Sequence, residues 1–327
     1  MMRTIRDFDI ANKRVLVRTD FNVPLSESGE ILDDFRIKQT IPTIEYLIKN
    51  GAKKIILISH LGKGEFSLKP VAGRLGELLG EKVGFGQEGK IVLLENLRFN
   101  PGEEANDDGF ARELSKLGDL YVNDAFGAAH RDHASIVGMP KYLPSAAGLL
   151  LEKEVSCLTS LSNSPEKPLV AIIGGKKVED KVKAIDKISE VADLVIVSGL
   201  IQKEIQAKNI QLKYPEKIIG PIDEIGGGKD VGPKTNNLFR EKIMGAKTIF
   251  WNGPLGKFEE EEFSHGTESL ARAIIDSGAF SIVGGGETVE FINKLGLIDK
   301  FSHVSTGGGA MLEFLSGEEL PGIKALE

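Results

Sequence analysis

The chain of 327 residues holds one cysteine, Cys157, so no disulfide can form within it and a reducing compartment, the cytoplasm, is expected. No apolar run is long enough to span a bilayer, and the opening MMRTIRDFDI lacks the apolar core of a secretion signal. Positive charge is not in excess: 41 Lys and Arg stand against 48 Asp and Glu, a net charge of -7, which argues against a general nucleic-acid or anionic-membrane surface. The signature G-x-x-x-x-G-K-[ST] is missing, which excludes the P-loop class. GFGQEG (84–89) does match G-x-G-x-x-G, but it runs into the strand-like KIVLLE instead of a helix, so a nicotinamide dehydrogenase is a weak alternative.

What is present is ordinary globular composition, 41% apolar and 27% charged, in a chain longer than one hydrophobic core usually serves. Two domains are expected. One pattern recurs: a β-branched apolar run, a small or glycine-rich turn, then an amphipathic helix. It appears in KIILISHLG (54–62), KIVLLENLRF (90–99) and DLYVNDAFG (119–127), then in PLVAIIGG (168–175), DLVIVSGL (193–200), KTIFWNGPLG (247–256), AFSIVGGG (279–286) and SHVSTGGG (302–309). Such runs alternating with helices predict parallel strands covered on both faces, an α/β fold. Ile37, Ile41, Ile44, Leu47 and Ile48 fall at helical spacing behind Asp33 and Asp34. Residues 142–167 read as the domain boundary, with a helix starting near Ser145, striped by Leu151, Val155 and Leu158, and ending at a Ser-Asn-Ser-Pro turn.

In open parallel sheets ligands bind beyond the carboxyl ends of the strands, and the unusual residues of this chain lie there. The first half places Arg18, Asn22, Arg36, His60, Lys63, Arg98, His130, Arg131 and His133 at strand ends and turns. Taken singly, each reads better as a solvated or salt-bridged surface residue. Together they suit a small multiply charged anion, which guanidinium groups hold through paired hydrogen bonds. His130 and His133 have no Cys or Glu at ligand spacing, so metal binding there is not expected. The second half is phosphate-handling in character. GGKKVEDK sets Lys177 and Lys181 four apart behind glycines, where they can reach phosphates at a helix N-terminus. WNGPLGKFE places Asn252, Gly253 and Pro254 in a turn ahead of Glu259. VGGGET (Gly284, Gly285, Gly286, Glu287, Thr288) and STGGGA each offer free backbone N–H groups at a helix start.

In order along residues 15 to about 322, VRTDFNVPL, SHLG, LLENLRF, NDAFGAAHRDHAS, PSAAG, GGKKVEDK, VGPKT, WNGPLGKFE, SIVGGGET and HVSTGGGA resemble the phosphoglycerate kinase family. The resemblance implies two Rossmann-like three-layer α/β/α domains with parallel sheets: an N-terminal phosphoglycerate-binding domain (1–146), an interdomain hinge helix (147–165), a C-terminal nucleotide-binding domain (166–315) and a tail (316–327) returning to the first domain. It implies reversible phosphoryl transfer between 1,3-bisphosphoglycerate and ADP, with Mg2+ accompanying ADP/ATP, by a monomer acting on small molecules, with no nucleic-acid or membrane partner. Arg18, Asp20, Asn22, Arg36, His60, Lys63, Arg98 and Arg131, with His130 and His133 nearby, would hold the phosphoglycerate. Gly175, Lys177, Lys181, Gly199, Asn252, Pro254, Glu259, Gly284, Gly285, Gly286, Glu287 and Thr288 would hold the nucleotide, Glu287 standing near the metal. Arg36, Lys181, Gly307 and Gly308 would act on the transferring group.

The sequence departs from the family pattern in places. Lys63-Gly64 replaces the usual Arg-Pro, Glu287 stands where aspartate is common, and Lys229 replaces an apolar residue. Between DLVIVSGL and DVGPKT only IQKEIQAKNIQLKYPEKIIGPIDEIGGGK remains, where the family has a glycine-rich turn, further helices and a strand walling the adenine pocket. Weak discrimination between ATP and GTP is the expected consequence. The alternative function is a catalytically poor phosphoglycerate-binding protein with a regulatory role.

Overall fold

The computed structural model describes residues 2–86, 88–176 and 178–327. Lys177, one of the two lysines expected to meet phosphate, lies outside the described residues. The chain divides into two compact units: Met1–Val155 with Glu319–Glu327, and Ser156–Glu318.

The first unit is a parallel sheet of β1 (Arg14–Arg18), β2 (Lys54–Ile58), β3 (Val83–Phe85), β4 (Ile91–Leu93), β5 (Leu120–Asn123) and β6 (Ser145–Ala147), in the order β3-β4-β2-β1-β5-β6. Its helices are α1 (Phe35–Lys49), α2 (Lys69–Leu79) and α3 (Asp108–Ser115). Val15, Val17, Ile55, Leu57 and Val122 meet Ile37, Ile44 and Leu47 of α1 in one core. This is why the strands read as unbroken apolar runs: both faces are covered. Asp33, not Asp34, makes the side-chain bond at the start of α1, its Oδ1 accepting from the Phe35 N–H at 2.7 Å.

Helix α4 (Leu149–Asn163) follows, and the unit boundary falls within it. The helix expected from Ser145 therefore begins later. Ser145, Ala146 and Ala147 are small enough to pair with Tyr121, Val122 and Asn123 as a sixth strand. The Asp124 carboxylate then accepts from the Leu150 and Leu151 N–H groups and starts the helix.

The second unit holds α5 (Glu179–Val191), α6 (Gly199–Ala207), α7 (Pro233–Ile243), α8 (His265–Ser277), α9 (Gly286–Lys294) and α10 (Gly308–Leu315), while α11 (Pro321–Lys324) belongs to the first. Its strands are β7 (Leu169–Ile173), β8 (Leu194–Val197), β9 (Ile218–Ile219), the antiparallel hairpin β10 (Glu224–Ile225) and β11 (Asp230–Val231), then β12 (Thr248–Asn252), β13 (Phe280–Gly284) and β14 (His303–Val304). The parallel sheet runs β14-β13-β12-β7-β8-β9. The shortened segment thus still supplies an edge strand, β9, and a glycine turn in the hairpin. In each sheet the strand order reverses beside the first strand, between β1 and β5 and between β7 and β12, which is where an open α/β sheet binds ligands.

Candidate active site

On the first unit the chain leaves β1 through Asp20 and Asn22. Arg36 Nη1, from the first turn of α1, donates to Asp20 Oδ2 at 3.1 Å and to the Asn22 carbonyl at 3.0 Å. Asn22 Oδ1 accepts from the Gly62 N–H at 2.9 Å, tying the loop after β1 to the loop after β2. Arg98 Nη1 donates to the Gly62 carbonyl, and its Nε lies 2.9 Å from Glu104.

His60 is buried, with Nδ1 3.1 Å from Arg18 Nη2. A guanidinium only donates, so Nδ1 accepts and Nε2 carries the hydrogen. That Nε2 is buried without a partner among the described residues, as is His130 Nδ1. An unanswered buried polar group costs about 1–3 kcal/mol, which a ligand would relieve. Burial first, then Arg18, holds His60 well below its ordinary pKa, with Arg98 and Arg131 adding to the effect. Burial likewise lowers His130 and His133, with Arg131 contributing at both. Arg131 is itself lowered, by burial and then by Arg98 and Arg36. The cations are close enough to repel one another, and a multivalent anion would turn that repulsion into attraction.

Two expected residues sit otherwise. Arg18 is fully buried: Nε donates to Ser135 Oγ at 2.7 Å, Nη1 to the Thr19 carbonyl, Nη2 faces His60, and Glu103 lies 3.8 Å away. Its guanidinium is enclosed and bonded at each nitrogen, and through Nη2 it braces His60. Lys63 is exposed on a loop that docks on Arg98; at Gly64 (φ +102) a Cβ would come within 2.7 Å of the Arg98 carbonyl oxygen. Glu103 was missed. It is fully buried, accepts from the Ser135 N–H (3.0 Å) and hydroxyl (2.6 Å), and lies 3.8 Å from His133 Nδ1. Its only sequence signal was an acid in an otherwise basic set of turns.

On the second unit four strand-end turns nest backbone against backbone. The Gly174 N–H donates to the Asn252 carbonyl at 2.8 Å and the Gly175 N–H to the Pro254 carbonyl at 3.0 Å. A Cβ on Gly174 would come within 2.2 Å of the Pro254 oxygen, one on Gly253 within 2.3 Å of the Gly174 oxygen, and one on Gly308 within 2.6 Å of Gly285 Cα. Gly284 is closed in by Met311 and Gly285 has φ +98. At each of these positions a side chain would clash or, at Gly285, meet a left-handed backbone. Gly286 and Gly309, at the starts of α9 and α10, have open space around them, and a helix start of this kind is where an anion can approach the backbone. The Gly307 N–H is taken by Ser305 Oγ at 3.2 Å, which removes it from the expected donors. Thr288 is buried, and its hydroxyl accepts from the Gly253 N–H at 3.0 Å, bracing that turn from behind. Trp251 is also fully buried, its indole N–H donating to the Gly253 carbonyl at 2.8 Å. Gly199 lies under the β10–β11 hairpin, a Cβ there falling 2.3 Å from Glu224.

Above these turns opens a cleft of about 250 Å³, lined by Leu200, Pro254, Leu255, Phe258 and Glu259 among others, and beside it one of about 660 Å³ bordered by Lys181, Lys183, Gly309 and Ser316. Gly175, Lys176 and Glu287 line both. Lys181 passes over Gly175, where a Cβ would lie 2.6 Å from its Nζ, and donates to the Gly174 carbonyl. Lys176, not singled out from the sequence, spans the two acids, 3.1 Å from Glu259 and 3.8 Å from Glu287. Asn252 Nδ2 is buried beneath without a partner among the described residues. The half-exposed Glu287 carboxylate suits a magnesium ion carried mainly by phosphates, since Mg2+ commonly uses one or two carboxylates plus substrate oxygens. Among the described residues no group of three or more His, Cys, Asp or Glu is arranged to hold a metal unaided.

Fold and sites define a class: an α/β protein of two doubly wound units, one carrying a part-buried basic cluster, the other a pocket above helix N-termini. A family model described as phosphoglycerate kinase matches residues 5–213 and 203–318. The phosphoglycerate kinase of Thermosipho africanus is 45% identical, covering 99% of this chain and 97% of that protein, and that of Rubrobacter xylanophilus is 44% identical, covering 99% and 98%. Among solved structures, the Pyrococcus horikoshii phosphoglycerate kinase superposes with a TM-score of 0.89 at 34% identity over 99% of this chain and 98% of that one. The Coxiella burnetii phosphoglycerate kinase gives 0.83 at 35% over 100% and 99%. The chain belongs to the phosphoglycerate kinase family. Its alignment with the T. africanus protein runs over 392 residues, more than the 327 it contains, so whole internal segments are missing from this chain.

Proposed function

We propose that this protein transfers the acyl phosphate of 1,3-bisphosphoglycerate to MgADP, reversibly, giving 3-phosphoglycerate and ATP. The observation that carries the reading is one chain with a part-buried cluster of arginines and histidines at one sheet's switch point and a cleft over helix starts at the other's. In the forward direction the bond between phosphorus and the carboxyl oxygen breaks while a bond forms from a β-phosphate oxygen of ADP. The leaving group departs as a carboxylate. Nucleophile and leaving group are both anions at neutral pH, so no proton has to move. The reaction needs in-line positioning and charge neutralisation, not a general base. This agrees with histidines held neutral by burial and by neighbouring arginines.

Arg36, positioned by Asp20 and Asn22, holds the phosphoglycerate together with Arg98, Arg131 and the His60 N–H, with His130, His133 and Lys63 around them. Lys181 follows the phosphoryl group, Glu259 faces the ribose, and the N-termini of α9 and α10 receive phosphate oxygens. Magnesium, when bound with the nucleotide near Glu287, supplies further charge neutralisation. Because donor and acceptor anchor to different units, transfer requires bringing them together away from water, the role we assign to helix α4. We place the protein in the cytoplasm as a monomer; among the described residues no helix is long and apolar enough to cross a membrane.

The test is a coupled assay with purified protein, MgADP and 1,3-bisphosphoglycerate. Lys181→Ala is expected to lower kcat by about 10²–10³-fold, the usual loss of a group that stabilises transition-state charge. Wild-type activity no higher than that of the variant sinks the reading.

A further inference from the structure

Beneath the basic cluster runs a line of hydrogen bonds that starts at Glu103. Its Oε1 accepts from the Ser135 hydroxyl at 2.6 Å and its Oε2 from the Ser135 N–H at 3.0 Å, while the Glu103 carbonyl accepts from the Ala134 N–H at 2.9 Å. Tyr121 of β5 holds Ser135 from another side, its hydroxyl donating to the Ser135 carbonyl at 2.6 Å. Because the hydroxyl proton goes to Glu103, Ser135 Oγ has only lone pairs left, and it accepts from Arg18 Nε at 2.7 Å. Arg18 is thereby held with Nη2 donating to His60 Nδ1 at 3.1 Å. Glu103, Ser135 and Arg18 are fully buried, and His60 is 2% exposed. The line ends at His60 Nε2, buried and without a partner among the described residues.

We infer that Glu103 and Ser135 are positioning residues for phosphoglycerate: acting through Arg18, they make His60 present an N–H, not a lone pair, at Nε2. The inference rests on the phosphoglycerate reading of this cluster. In a neutral imidazole the hydrogen bond made at one ring nitrogen decides what the other carries. His60 Nδ1 has two neighbours of opposite demand. Arg18 Nη2, at 3.1 Å, needs a lone pair there, and Asp20 Oδ1, at 3.9 Å, would favour a hydrogen. With Arg18 released, Nδ1 would carry the hydrogen toward Asp20, and Nε2 would be left with a lone pair that repels the oxygens of an anion. The Ser135 hydroxyl and the charge of Glu103, 3.8 Å from Arg18 Nη2, prevent that release. A network serving only the fold would close on itself, since buried polar groups are ordinarily paired. This one stops at an unanswered N–H. A buried ion pair is also a poor device for stability alone, because apolar residues of the same volume often do as well.

The experiment reads the tautomer directly, by nitrogen NMR of the histidine side chains in the purified protein at neutral pH, with the His60 signals assigned by their loss in His60→Asn. The wild type is expected to carry its hydrogen on Nε2. Ser135→Ala removes the hydroxyl and keeps the charge of Glu103. It should move His60 toward the Nδ1–H form and raise KM for 3-phosphoglycerate about 10-fold, the size expected when a hydrogen bond to a charged group is weakened. KM for ATP should not change. Glu103→Gln, which removes the charge and keeps the shape, should act in the same direction. The wild-type tautomer remains a test if neither variant folds. Hydrogen on Nδ1 in the wild type, a His60 tautomer unmoved in a folded variant, or equal rises in both KM values, each overturns the inference. If the tautomers behave as expected but the wild type turns over no phosphoglycerate, the phosphoglycerate reading falls, and the control of His60 by Glu103 and Ser135 is supported.

Discussion

In the proposed reading the two units use one fold to hold anions by opposite means. The first fixes its cations before any ligand arrives: Arg98 is held on Gly62 and Arg36 on Asp20 and Asn22, both part-buried, and Arg18 and Glu103 are fully enclosed. The second relies on backbone. Its turns leave amides at helix starts, while its charged groups, Lys176, Glu259 and Glu287, are about half exposed and paired with one another. The difference fits the ligands proposed for each. A small, densely charged acid can be caged by rigid guanidinium groups, which are preorganised and weakly hydrated. A nucleotide has phosphates, a sugar and a base, and its phosphates can be met at helix N-termini without burying a single charge.

Removing a cation from the cage tests this contrast with the largest effect. Arg36→Ala should lower kcat/KM for the phosphoglycerate substrate by about 100-fold, the usual size for loss of a positioning clamp. ADP binding measured by calorimetry should be unaffected. Loss of both would show that Arg36 holds the fold together and that the two units are not separable in function.

The glycine turns allow a sharper cut within the second unit. Gly308→Ala would press a methyl group against the Gly285 backbone at 2.6 Å, whereas Gly286→Ala enters open space. The first should destabilise by about 1–3 kcal/mol, as overpacking usually does, lowering the melting temperature by several degrees. The second should leave melting nearly unchanged and raise the KM for nucleotide. If Gly286→Ala leaves nucleotide KM untouched, phosphate does not approach that helix start and the glycine serves some other end.

Much of this was legible in sequence because it depends on local pattern. Unbroken apolar runs gave away the parallel strands, and Arg36, Arg98 and Arg131 stand out in sequence as cations at strand ends and turns. What escaped depended on contacts between distant segments. Gly308 meets Gly285 and Gly174 meets Gly253 across separate strands, so two glycine sets with one appearance divide into packing and ligand roles only in three dimensions. Arg18 looks like its neighbours in sequence but is enclosed by Ser135, Glu103 and His60. Ser145–Ala147 reads as the start of a helix because nothing local says that β5 needs an edge partner.

The histidines give the cage a pH signature that the backbone pocket lacks, since no histidine lines either cleft of the second unit. His60 is held well below its ordinary 6.5 by burial and Arg18. Between the folded value and 6.5 the unfolded chain binds the extra proton, so this contribution to stability is complete above that pH and is lost as pH falls below it. Thermal melts should therefore decline from about pH 6.5 downward, and His60→Asn should make the decline shallower. A profile identical in the variant would mean that His60 stays neutral in both states or is not enclosed as described.

Glu287 gives the smallest expected effect, and it concerns the exposed member of the comparison. Its carboxylate is half exposed and 3.8 Å from Lys176, in an ion pair of a kind that is usually weak. The family commonly has aspartate here, and glutamate keeps the charge while adding a methylene. In the proposed site the longer side chain must retract or meet the metal through water, because Mg2+ dehydrates reluctantly and keeps strict octahedral geometry. Glu287→Asp should therefore preserve activity at saturating magnesium and raise it modestly, by about 2–3-fold, when magnesium is limiting. The measurement is the magnesium dependence of kcat in the two proteins. If aspartate instead abolishes activity, Lys176, Glu259 and Glu287 form one arrangement fitted to the longer side chain. The second unit would then be as preorganised as the first.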